Sequence, residues 1–206
     1  MRYARGMNVA DQLPRIFQAN IDRLYRRVIC VTLDQLPAHN PPVVGETSSM
    51  DEFLARCAVQ VDNHMANEAA KAFALTLDGL FERQLCRWAD AHGEKAGSMK
   101  TALPACVRIG GLDLTATGMA DDLKELHLVA NVVRHGEGRS CKELQAIAPL
   151  LWDSASLDHY DLAPAPTPAS EMLRIRAGDI LRYARGIGRF WGHVDPLPMA
   201  VLDPPY

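Results

Sequence analysis

Ser48-Ser49-Met50-Asp51-Glu52-Phe53-Leu54 opens a run that continues to His92-Gly93 without a single proline. A serine hydroxyl ahead of the run suits an N-cap, and Asp51 and Glu52 then sit against the positive end of a helix. Leu54, Cys57, Val61, Met65, Ala69, Ala72, Phe73, Thr76, Leu80 and Trp88 recur near the helical period and are expected to form its buried stripe. Gly79 is the one interruption, so the run predicts a helix of about 40 residues with room for a kink near Asp78-Gly79. A helix of that length cannot be buried by loops, which makes the fold a question of which other helices pack against it.

On the N-terminal side a first helix is expected from about Asp11 to Leu36, with Pro14 tolerated in its first turn. Leu13, Ile16, Phe17, Ile21, Leu24, Val28 and Val31 give it helical periodicity, and Pro37 with Pro41-Pro42 ends it. On the C-terminal side Glu94 to Gly111 reads as a loop, and a helix follows from about Met119 to His135. Gly136 is suited to the position after its last turn. Ser140-Cys141-Lys142-Glu143 has the form of a capping box opening a short helix through Ala148. Ala163-Pro164-Ala165-Pro166-Thr167-Pro168 reads as a stiff linker. Met172 to Arg176 alternates like a short strand. Asp179 to Trp191 is a last helix with Ile180, Tyr183, Ala184, Ile187 and Trp191 inward, and Val194 to Tyr206 is a proline-rich tail. The expectation is an all-α helical bundle of four to five helices, two of them long. Residues 1–152 form the bundle, and 163–206 add a linker, a helix and an extended tail packing on it.

Composition narrows the function classes. A net charge of −3 over 206 residues gives no general affinity for nucleic acid, so any basic surface must be local. Cys30, Cys57, Cys86, Cys106 and Cys141 are odd in number and unpaired in spacing, which points to reduced thiols in a cytoplasmic protein. No apolar core follows Met1-Arg2-Tyr3-Ala4-Arg5-Gly6, and no run is long enough to span a membrane, so neither a secretory signal nor a membrane partner is expected.

Chemistry concentrates in Leu126-His127-Leu128-Val129-Ala130-Asn131-Val132-Val133-Arg134-His135-Gly136. His127, Asn131 and His135 stack on one helix face at four-residue spacing, with Arg134 at its edge. Buried imidazole and amide groups need partners, and a carboxylate from another helix would serve His127. His127 and His135 are about 12 Å apart along a helix axis and cannot share one ion. No metal site and no cofactor is expected. Arg182, Arg185 and Arg189 repeat at helical spacing and would suit phosphate contact, as would Arg139.

Ala130-Asn131-Val132-Val133-Arg134-His135-Gly136 resembles the motif of HEPN domains, helical bundles of bacterial defence and toxin–antitoxin systems. Leu75 to Leu85 and His135 to Ser140 resemble segments of uncharacterised bacterial helical proteins associated with that group, and the likeness covers residues 49–152. Asn131 matches the motif's polar position and His135 its histidine, whereas Ala130 stands where the family has arginine. The resemblance implies metal-independent RNA cleavage or RNA binding in a homodimer, beside a partner antitoxin or defence protein. His135 would act as acid or base, Asn131 would orient it, and Arg134 would neutralise charge, with Arg139 or a partner chain's Arg134 able to substitute for the missing cation. The competing expectation is a non-catalytic dimerisation or adaptor module, which the Ala130 departure favours.

Overall fold

A computed structural model describes residues 9–36, 39, 48–152 and 168–206. The linker expected over 163–168 lies outside them except for Pro168. Seven α-helices follow in order: α1 Val9–Leu24, α2 Cys30–Gln35, α3 Met50–Ala91, α4 Met99–Gly110, α5 Ala120–His135, α6 Arg139–Ile147 and α7 Ala177–His193. A π turn over Tyr25–Ile29 joins α1 to α2, so the two continue as one long helix. A 3₁₀ turn over Pro149–Trp152 follows α6.

The N-cap of α3 forms as its sequence dictates, with the Glu52 amide donating to the Ser49 hydroxyl at 3.2 Å. Of the expected stripe, Trp88 is buried and Phe73 and Leu80 pack against the core, but the buried face is otherwise a different one. Ala70, Ala74, Leu77, Phe81, Leu85 and Trp88 enter the core, whereas Leu54, Val61 and Met65 are more than half exposed. The apolar residues of α3 lie on two roughly opposite faces, and only the face of the C-terminal half meets the bundle.

α7 runs through the centre of the core, with Tyr183, Ile187, Phe190 and Trp191 fully buried. Trp191 makes edge-to-face contacts with Phe17 at 4.9 Å, Phe81 at 5.9 Å and Trp88 at 5.8 Å, linking α1, α3 and α7. The tail returns along α1 and α7. Arg15 pairs with the buried Asp195 at 2.8 Å, and Tyr206 stacks on Tyr25 at 5.0 Å. Gly192 is required here, because a Cβ at that position would collide with the Val201 carbonyl.

Three local expectations are corrected. The segment expected as a loop over 94–111 contains α4, which buries Met99, Ala102, Ala105 and Cys106 at helical spacing. Pro104 is tolerated because it lies on the exposed side, where water can take the carbonyl it leaves unpaired. The Ser140 capping box does not form: α6 begins two residues earlier, its N-cap is Gly138, and Glu143 pairs instead with Lys124 at 2.9 Å. Met172 to Arg176 is not a strand, and no strand occurs among the described residues. The alternation is real, since Leu173 and Ile175 are both buried. Their backbone partner is a side chain: Asn67 donates to the Leu173 carbonyl at 3.0 Å and accepts from the Ile175 amide at 2.8 Å. One carboxamide thereby supplies the donor and acceptor that a neighbouring strand would offer.

Candidate functional site

α5 buries Leu123, Leu126, Leu128, Val129, Ala130 and Val132, and lies against the C-terminal half of α3. That packing turns its polar stripe onto Asp78, a carboxylate in the buried face of α3 between Ala74 and Phe81 with a side chain only 1 % exposed. His127 Nδ1 lies 3.1 Å from Asp78 Oδ1. On its other side His127 Nε2 lies 3.2 Å from Asn131 Nδ2. The guanidinium of Arg134 stands 3.7 Å from Asp78 Oδ2, close enough to feel the charge but beyond hydrogen-bond distance. Asp78 Oδ2 is buried and accepts no hydrogen bond.

The chain Asp78–His127–Asn131 has a definite electrostatic sense. The hydrogen bond that His127 donates to Asp78 raises the His127 pKa above its ordinary value, while desolvation works in the opposite direction. The charges of Asp78 and Glu82 add to the rise and Arg134 opposes it. With Asn131 donating to Nε2, His127 is neutral and directs its Nδ1 proton at Asp78. When Nε2 takes up a proton, the Asn131 amide must turn its oxygen toward the ring, and a carboxamide can do so by a half-rotation. Asn131 can therefore support both protonation states, and the buried carboxylate fixes the ring in either.

His135 projects into solvent at the end of the helix. Ala130 is fully buried, so the motif's arginine position belongs here to the apolar core. The structure thus brings His127, Asn131 and Arg134 together around Asp78, and leaves His135 about 12 Å from His127 along the helix. No family model, curated protein or solved structure matches this chain.

The arginines of α7 are placed differently. Arg182 is held by Asp122 at 2.6 Å, by Glu125 and by Asp179 at 3.4 Å. Burial works against its charge, yet hydrogen bonds to Glu125 and Asp122 keep its pKa above the ordinary value. Glu125 also accepts from the buried Tyr183 hydroxyl at 2.6 Å. Arg185 pairs with Asp203 of the tail at 2.7 Å, and Arg189 donates to the Thr117 carbonyl at 2.8 Å. Arg139 is exposed at the start of α6. Among the described residues no group of three or more His, Cys, Asp or Glu side chains converges as a metal site. No described helix is long and apolar enough to cross a membrane.

Asp78 is the member that motif reading missed. Its signal was present in the sequence as an acidic residue beside Leu77 in a stripe of Ala74, Leu77, Phe81 and Leu85. An acid in such a stripe needs a partner from the facing helix.

Proposed function

We propose that this protein acts on RNA through the α3–α5 face, by metal-independent phosphodiester cleavage centred on His127. The observation that supports this reading is the imidazole fixed by a buried carboxylate, with the Arg134 guanidinium beside it on an accessible surface. Cleavage of RNA by its own 2′-hydroxyl needs a base for that proton and a cation for the charge developing on the phosphate. A histidine held in place by a carboxylate that raises its pKa above the ordinary value suits the first task, and a half-exposed arginine suits the second. Asp78 is a positioning residue that acts through His127. His135, at the open end of the same face, would contact the strand further along.

Incubating labelled RNA with the full chain in EDTA tests this. Loss of about a hundredfold or more in His127→Ala and in Arg134→Ala, with little loss in His135→Ala, is the expected pattern. Equal activity in wild type and His127→Ala would overturn it.

A second reading has its own observation. Ala130 is packed in the core and Asn131 already occupies His127 Nε2, an arrangement that also suits a polar tie holding α5 to α3 in a non-catalytic interaction module. That reading predicts no cleavage by the wild type, together with a clear loss of stability in His127→Ala.

A further inference from the structure

The N-terminal half of α3 carries a second apolar face that the bundle leaves open. Met50 is 70 % exposed, Leu54 57 %, Val61 54 % and Met65 56 %, with Phe53 at 43 % on its flank. Cys57 and Ala58 complete the row, which contains no charged side chain. The row lies opposite Asn63 and Asn67, the first residues of α3 that are buried. The spacing from Met50 through Leu54, Cys57, Ala58 and Val61 to Met65 reads the same in both directions.

We propose that this face is a two-fold, antiparallel interface with a second copy of the same chain. An isologous contact requires a surface complementary to itself, and a row symmetric about the 57–58 bond meets that requirement. Met50 then lies against Met65 of the second copy, Leu54 against Val61, and Cys57 against Ala58. The exposed apolar area is on the order of 500 Å² per chain, so the pair buries roughly 1,000 Å², the lower edge of a specific interface. Charge selects the direction. A parallel pair would set two acidic first turns, each with Asp51 and Glu52, side by side at two positive helix ends of the same sense. The antiparallel pair separates them by about 18 Å along the helix axes and opposes the helix dipoles.

The arrangement is independent of the RNA reading and constrains it. Asp78 lies about 30 Å along α3 from the two-fold axis, so each α3–α5 site works with the residues of one chain. An arginine donated by the second copy has no place in it.

Sedimentation of the full chain over a concentration series is expected to show a monomer–dimer equilibrium. Leu54→Glu enters the interface twice and weakens it by about a hundredfold or more, with helical circular dichroism unchanged because the residue is exposed in the monomer. Mixing Leu54→Cys with Val61→Cys chains and adding a short bismaleimide should join position 54 to position 61 in peptides mapped by mass spectrometry. A monomer at every concentration, a dimer indifferent to Leu54→Glu, or links from 54 to 54 would each overturn the proposal. Loss of RNA cleavage has no bearing on these readouts, and a monomer would leave the RNA assay intact.

Discussion

α5 and α7 lie against one another, and each carries a row of polar side chains at helical spacing, yet the two rows are closed off to different degrees. Every arginine on the α7 row is met by an acceptor of its own chain, and Arg182 has three carboxylates around it. The α5 row faces a buried carboxylate oxygen of α3 that accepts no hydrogen bond, holds an arginine just short of it, and ends in a histidine projecting into solvent. Saturated rows of this kind hold a fold together. A row with unfilled hydrogen-bonding capacity has something left to offer a ligand. That difference puts the proposed chemistry on α5, whose row carries one arginine and two histidines, rather than on the arginine row of α7.

The comparison can be broken or sharpened by measurement. Glu125→Ala should have the largest effect, because it strips the buried Tyr183 hydroxyl of its acceptor and removes one of the acids that balance Arg182. A loss of about 3 kcal/mol in urea unfolding is expected, and a loss below half of that would mean the α7 network is less closed than its distances imply. Asp78→Ala comes next, at about 2 kcal/mol, since it unpairs His127 but also removes a buried oxygen that is itself unsatisfied.

The effect of pH is smaller and has a definite sign. The folded-state pKa of His127 is raised, so its contribution is fully present below the unfolded value of about 6.5 and fades as pH rises through the folded value. Wild type should lose a little stability over that window while Asp78→Asn loses none, and NMR titration of His127 should show a lower pKa in the variant. A wild-type His127 titrating below a solvent-exposed histidine would remove the basis for its role as a base. Arg185→Ala is the smallest change. Its pair with Asp203 is solvated, and thermal unfolding should be indistinguishable from wild type.

The helical class, the limits of α3 and the inward residues of α7 were all legible in the sequence, because long periodic runs and capping residues act locally. The inward face of α3 was not. Leu54, Val61 and Met65 fall on a helical apolar row just as Leu77, Phe81 and Leu85 do, and periodicity alone cannot say which row meets the bundle. α4 was hidden by Pro104 and its flanking glycines, whose cost depends on where the freed carbonyl points. The carboxylate expected opposite His127 exists, but its identity as Asp78 is a long-range fact, set by how α5 docks on α3. The strand-like alternation at Leu173 and Ile175 found an amide where a strand was expected, a substitution that no local pattern encodes.

The anchoring of the chain on either side of residues 153–167 has a practical consequence. The Arg174 amide donates to the Leu151 carbonyl at 2.8 Å, and the Trp152 indole donates to the Ala169 carbonyl at 2.6 Å. Asn67 fastens the far side to α3. The two ends of that segment are therefore pinned together by contacts that do not involve it. A chain cut within that segment should therefore stay associated, its two pieces held by the Leu151, Trp152 and Asn67 contacts and by the shared core, and should still unfold as one unit.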